Sequence, residues 1–563
     1  MKNHEADEVE KVENGEMCQN AVILLPSIKP ASSNLSIPQK NKPITLQILS
    51  ILATLALAGS IVFALFLWQG HKGFNLWDEG YLWYGAQRVM LGEVPIRDFM
   101  SYDPGRYYWS SALMSLKGDN GIMALRGAVA VFQAIGLFAG LLLIAQSTTQ
   151  GFKNWSSVYL LLSALTLTVW MFPRHKLFDI SLSILLIGAL AFLIQNPTRL
   201  RYFLCGMCVG LVAVFGRNHG MYGVAGSVGV MAWLAINRDS RAGVPRLIEG
   251  VGLWVAGVAI GFTPMLLMIW LVPDFAAAFW ESIRFLFEVK ATNLPLPIPW
   301  PWKAPFGSAP MGEAIRGLLI GLFFIGTVVF GVVAITWVSW QKFRKRAASP
   351  VLIAAAFLAL PYAHYAYSRA DVGHLAQGIF PLLIGCLVLL AAQPAKIKWP
   401  LALMLCGASL WVTHISHPGW QCDTSEQCVS IEISGDELSV APDVVNDVHL
   451  LRKLADEYAP GGRSFIATPF WPGAYPLLGK KSPMWEIYPL FPRNEGFQQK
   501  EIELIKIANP GFIFVYDWPL DGREELRFRN THPQIHRYIV ENFELLPDSP
   551  NPAYQIYKPR KPV

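Results

Sequence analysis

Eleven predominantly apolar stretches, most of them long enough to cross a bilayer as a helix, divide the chain near residues 46–69, 121–146, 156–173, 179–195, 202–216, 220–236, 247–271, 313–340, 350–366, 374–393 and 399–416. Polar residues gather in the connections between them, and after residue 417 the apolar runs stop. The pattern predicts a polytopic α-helical membrane protein with about eleven transmembrane helices over residues 44–417, followed by a soluble domain over 418–563. In that last region helical spacing covers 445–458, 498–507 and 533–543, and short apolar strands fit 464–467, 512–516 and 554–557, which predicts a small α/β domain. Residues 1–43 are acidic and then rich in Ser, Pro and Lys, without the apolar core of a signal peptide, and read as a disordered cytosolic tail.

Composition agrees: of 563 residues 53% are hydrophobic and 15% charged, with 20 Trp and 32 Phe. A net charge of +6 says little about partners, because its meaning depends on which side of the membrane the charges lie, and no nucleic-acid-binding patch is visible. Arg199 and Arg201, then Arg238, Arg241 and Arg246, then Lys342, Arg344, Lys345 and Arg346, then Lys396 and Lys398 fall in alternate connections. That side is predicted to be cytosolic, with the N-terminus, so that 418–563 lie on the periplasmic or extracellular face of an inner (plasma) membrane. Cys422 and Cys428, in a polar loop, are expected to pair as a disulfide there. Cys205 and Cys208 sit in an apolar run and read as packing, as does Gly206-x-x-x-Gly210. No structural zinc and no cofactor is predicted, although Asp78, Glu79 and Asp179 are acids of the kind that hold a divalent cation.

The chemistry-bearing residues collect in the outer connections. The segment 70–120 reads as a loop with adjacent acids at Asp78 and Glu79, and with aromatic residues (Trp77, Tyr81, Trp83, Tyr84, Tyr102, Tyr107, Tyr108, Trp109) suited to the headgroup level. Adjacent residues on a regular element cannot share a face, so one carboxylate is expected to face a pocket and act as a base while its neighbour holds a backbone or a cation. Arg174, His175 and Lys176 with Asp179, Arg217 and His219, and Arg369, Asp371 and His374 lie at helix ends on the same side. Charges so close to the bilayer are costly unless they pair or face a wet cavity, so a polar pocket between helices is expected. The proline- and tryptophan-rich run 293–302 fits either a semi-rigid surface flap or a plain linker.

Asp78-Glu79, Arg88 with Met90-Leu91, and the Pro104–Trp109 element resemble the first outer loop of the GT-C glycosyltransferases, nearest in pattern to protein mannosyltransferases and bacterial aminoarabinose transferases. The resemblance implies a sugar carried on a polyprenyl phosphate and an acceptor that is a lipid, glycan or protein; a direct displacement with one base would invert the anomeric carbon. The resemblance implies Asp78 as the base, with Glu79 and Asp179 as the further acids of the site. The departing phosphate calls for cations, and the candidates are Arg217 and His219 first, then Arg106, Arg174, Lys176, Arg369 and His374. One position departs from the pattern: the bacterial transferases carry a lysine where this chain has Asp103, so that lysine's phosphate-binding role does not transfer. The absence of an Asp-x-Asp motif and of a glycine-rich phosphate loop favours a lipid-linked donor. The alternative is a transporter or flippase of a lipid-linked substrate, against which stand the location of the ionisable residues at outer helix ends and the lack of an internal repeat.

Overall fold

The computed structural model describes residues 44–147, 154–236, 245–290, 293–422 and 427–560. The cytosolic tail expected at 1–43, and Arg238 and Arg241, lie outside the described residues. The chain forms two compact units, residues 1–49 and Ser50–Val563; of the first, the described residues are the opening of the first helix.

Each predicted apolar stretch is helical. In chain order the helices are α1 (Ile44–Gln69), α2 (Asp78–Met90), α3 (Pro104–Lys117), α4 (Ile122–Ser147), α5 (Asn154–Thr168), α6 (Leu177–Gln195), α7 (Arg199–Phe215), α8 (Arg217–Ala235), α9 (Leu247–Gly261), α10 (Thr263–Leu271), α11 (Phe275–Val289), α12 (Met311–Phe343), α13 (Pro350–Ser368), α14 (Val372–Gly378), α15 (Phe380–Ala391) and α16 (Ala395–Thr413). Five helices among the described residues are long and apolar enough to span a membrane, or up to seven if the bent pairs α9–α10 (53°) and α14–α15 (56°) each count once. The eleven predicted spans therefore match in position, while their number as full-length crossings is not reached. Both bends fall beside a proline, Pro264 and Pro381, whose missing N–H and ring interrupt the helix. The small residues foreseen in α7 set a close crossing: a Cβ on Gly206 would stand 2.0 Å from the Trp254 carbonyl oxygen of α9.

The segment expected as a loop at 70–120 is folded into α2 and α3. Pro104 opens α3 where its missing donor costs nothing, and Gly118 closes it with a left-handed φ of 70°. Tyr81, Trp83, Tyr84 and Tyr107 are fully buried in the core: Phe99, between the two helices, meets Tyr84 and Tyr107 edge-on, Trp83 meets Phe74, and Tyr81 meets Tyr102 and Tyr488. The proline-rich run, read as a semi-rigid surface flap or a plain linker, is packed on a helix. It lies extended on α12, with Leu294 buried, Trp300 stacked on Trp302, and Pro301 against Gly321.

After α16 the chain forms the hairpin β1 (Val429–Ile433) and β2 (Asp436–Val440), then α17 (Pro442–Tyr458), β3 (Ile466–Thr468), α18 (Ala474–Leu477), α19 (Glu495–Ala508), β4 (Ile513–Tyr516), α20 (Phe528–Thr531), α21 (Pro533–Asn542), β5 (Phe543–Leu545) and β6 (Tyr554–Pro559). The main sheet has order β3-β4-β6-β5, parallel only between β3 and β4. Cys422 and Cys428 form a disulfide ahead of the hairpin. This region is not a detached module. Ser439 exchanges backbone hydrogen bonds with His71 and Gly73 just beyond α1 (2.8 and 2.7 Å), and Gly473 packs on Gly80 of α2 so closely that a Cβ on Gly80 would meet its Cα at 2.4 Å.

Candidate active site

The first turn of α2 decides the fate of the two adjacent acids. The Asn75 side-chain oxygen accepts the backbone N–H groups of Trp77 and Asp78 (2.8 and 3.0 Å), starting the helix at Asp78 and directing successive side chains about 100° apart. Glu79 turns inward. Arg126 of α4 grips it with two 2.8 Å hydrogen bonds, Arg174 stands 3.6 Å away, and its side chain is 6% exposed. The same arginines collect the carbonyls that follow α1: Arg126 those of Gly70 and Gly73, Arg174 those of Gln69 and Lys72. Burial pushes the Glu79 carboxyl up, but Arg126 and Arg174 outweigh it and bring it down to about 2.

Asp78 turns the other way, into a cavity of about 630 Å³ bounded by α2, α3, the ends of α6, α8 and α13, and loops of the C-terminal region. Its side chain is 41% exposed; the Tyr488 hydroxyl donates to it at 3.4 Å and His175 Nε2 lies at 3.8 Å. Among the described residues no arginine or lysine is within ion-pair distance of it.

The floor of the cavity is a buried ion cluster. Asp179, in the first turn of α6, receives Arg106 Nη2 at 2.9 Å and faces His219 Nε2 at 3.0 Å, while His219 Nδ1 meets the Tyr362 hydroxyl at 2.9 Å. Arg106 also donates to the Phe215 carbonyl, where α7 ends (2.8 and 3.1 Å). Each buried charge is thus paired and hydrogen-bonded, the condition for tolerating it at this depth. Lys176 stands above this floor. Its Nζ donates to the Tyr102 hydroxyl at 3.1 Å, lies 4.3 Å from that ring's centroid, and meets a carboxylate, that of Asp179, only at 4.0 Å.

Arg217 is tied elsewhere: Asp103 takes its Nε at 2.5 Å and its backbone N–H at 2.7 Å, and Ser282 accepts from Nη1 at 2.9 Å. The position where the resemblance departs therefore carries an acid that neutralises the first-ranked cation. On the opposite wall Asp371 bonds both Arg369 (3.2 Å) and His374 Nδ1 (2.9 Å).

The structure brings together Asp78, Asp179, Arg106, Lys176, Arg217, His219, Arg369 and His374 around one cavity. Glu79 and Arg174, grouped with them from sequence, do not reach it: the Asx-started turn of α2 sends Glu79 to the far side, and Arg174 follows it to the end of α1. Sequence reasoning missed Tyr488 and Asp521, which the C-terminal region adds to the cavity wall. Pairing between distant segments carries no local signal. Hairpin β1–β2 did have one, the alternation Val429-Ser-Ile-Glu-Ile ahead of Ser434-Gly435, two residues with positive φ that make a tight turn. Among the described residues no three His, Cys, Asp or Glu side chains cluster closely enough to hold a metal ion.

No family model and no curated protein matches the sequence. Among solved structures, ArnT from Cupriavidus metallidurans in the apo state matches with a TM-score of 0.53 at 12% identity, over 91% of this chain and 98% of that one. The same protein bound to undecaprenyl phosphate matches at 0.50 and 11% identity, over 92% and 98%. At such identity the likeness is one of fold, and it extends over the membrane helices and the C-terminal region alike.

Proposed function

We propose that this chain, which has the GT-C fold, is an integral-membrane glycosyltransferase that moves a sugar from a polyprenyl-phosphate donor to an acceptor hydroxyl on the outer face of an inner (plasma) membrane. The observation that carries the reading is the juxtaposition in one cavity of a carboxylate without a basic ion-pair partner closer than His175, Asp78, and an ammonium only loosely neutralised, Lys176. A solved protein of this fold binds undecaprenyl phosphate, which supports a donor of that class.

In the proposed reaction Asp78 takes the proton of the acceptor hydroxyl as its oxygen bonds to the anomeric carbon. The bond from that carbon to the phosphate oxygen breaks, its electron pair leaves with the polyprenyl phosphate, and Lys176 meets the growing negative charge. One displacement by one base inverts the anomeric centre. Arg106, His219 and Asp179 form the floor that holds this arrangement, and Tyr102 aims the Lys176 ammonium. The outward placement is supported by α6, which starts at the cavity and ends about 28 Å away beside Arg199 and Arg201, by the positive-inside rule a cytosolic end. The disulfide fits an oxidising compartment for the C-terminal region.

The test is transfer by the purified protein from a panel of polyprenyl-phosphate sugars to water or simple acceptors. Release of polyprenyl phosphate together with a glycosylated product supports the reading. Movement of the lipid across vesicles without any transfer supports a flippase and ends it.

A further inference from the structure

The Arg369 guanidinium, on the cavity wall, has nearly all its donors engaged. Nε donates to Asp371 at 3.2 Å, Nη1 to the Leu294 carbonyl at 3.1 Å and to Asp521 Oδ2 at 2.6 Å, and Nη2 to Asp521 Oδ1 at 2.7 Å. The edge spanned by Nη1 and Nη2 is one with which an arginine grips two oxygens of a phosphate or carboxylate. Asp521 fills it.

Two features set this apart from an ordinary structural pair. Asp371 already supplies Arg369 with a carboxylate, so charge balance does not call for a second one. And Asp521 arrives on a tight turn, Leu520-Asp521-Gly522, with φ of 57° at Asp521 and 71° at Gly522, which brings a carboxylate from the C-terminal region to a cavity otherwise floored by membrane helices. Nearby the same region rests the Tyr488 hydroxyl on Asp78 at 3.4 Å. The two groups from the C-terminal region thus reproduce what a substrate would bring: a hydroxyl at the carboxylate and an oxyanion at the cation.

We propose that Asp521 is an internal stand-in for a substrate oxyanion: the Arg369 fork is the seat of a phosphate or carboxylate group, which takes it by displacing Asp521. Binding of the anion then releases the 520–522 turn from the cavity wall. The proposal rests on the glycosyltransferase reading only for naming that anion as the donor phosphate; an acidic group on the acceptor would use the same seat.

The experiment compares full-length wild type, Asp521→Asn, Arg369→Gln and the double variant in detergent, titrated with a polyprenyl monophosphate, the polyprenol of equal length, inorganic phosphate and acetate, with binding read from intrinsic tryptophan fluorescence. Asparagine accepts the left-handed φ at residue 521, and a thermal melt of each variant confirms folding. The expected result is that Asp521→Asn tightens polyprenyl monophosphate roughly tenfold or more, as removal of a competing charge-assisted pair should, and leaves polyprenol unchanged. The gain disappears when Arg369 is Gln. If inorganic phosphate or acetate shows this dependence and polyprenyl monophosphate does not bind, the seat stands and the lipid-donor reading falls. If Asp521→Asn weakens every anion or changes none, or if no anion binds to any variant, the proposal is overturned and Asp521 is a strut for Arg369.

Discussion

Asp78 and Glu79 are neighbours in sequence and opposites in surroundings. Glu79 sits in a knot with Arg126 and Arg174 that gathers the backbone following α1, while Asp78 faces a cavity with a tyrosine hydroxyl and a histidine as its closest polar company. One carboxylate is held in buried ion pairs and the other opens onto the cavity. An acid's role here is set by which side of α2 it leaves, a difference of about 100° of helical rotation.

The largest effect is expected at the knot. Glu79→Gln removes one partner of a buried pair and leaves Arg126 desolvated beside it, so unfolding free energy should fall by about 3–5 kcal/mol, read as a drop in melting temperature. Its pH dependence follows from the lowered pKa: the group binds fewer protons folded than unfolded, so its contribution is complete above the ordinary value of 4.5 and is lost as pH falls toward about 2. Glu79→Gln should therefore flatten the acid limb of the stability curve.

On the cavity side, Lys176→Met should leave the melting temperature nearly unchanged and lower transfer by roughly tenfold to a hundredfold, with the deficit larger in kcat than in KM if the ammonium meets charge that grows in the transition state. Arg217→Gln should cost less, because Asp103 already neutralises Arg217 and Ser282 holds it to α11.

An effect confined to high pH is expected under the loop that carries Tyr488. Glu501 is buried near Glu486, whose carboxylate is engaged by Arg493 (2.6 Å) and His532 (2.9 Å); burial, then the Glu486 charge, pushes the Glu501 carboxyl up to about 8. A raised acid favours the folded state fully below 4.5 and loses that advantage as pH rises to about 8. Glu501→Gln should therefore raise the melting temperature at pH 9 by roughly 2–4 °C relative to its effect at pH 4.

Much of this was legible in the sequence. The apolar runs marked where the membrane helices lie because in lipid a backbone can be satisfied only within the helix, and the adjacent acids announced that one of them would face away. The direction of each was not legible, since Arg126 lies 47 residues from Glu79 and sits within an apolar stretch that reads simply as a span. Aromatic residues in α2 and α3 were read as interfacial because a tyrosine suits either environment, and their burial comes from segments distant in sequence, Tyr475 and Tyr488 against Tyr84 and Tyr81, and Phe132 against Trp109. Asp521 and Tyr488 were invisible for a similar reason: they come from loops of the C-terminal region, and nothing local tells a loop acid in water from one bound to Arg369.

The most direct test sets the two neighbours side by side. Sugar transfer per folded molecule is measured for wild type, Asp78→Asn and Glu79→Gln, with melting temperature recorded for each. The account predicts that Asp78→Asn melts like the wild type and loses at least about a hundredfold in transfer, while Glu79→Gln melts lower and keeps its rate per folded molecule within a few fold. Transfer that survives in Asp78→Asn, or vanishes in a fully folded Glu79→Gln, would contradict it.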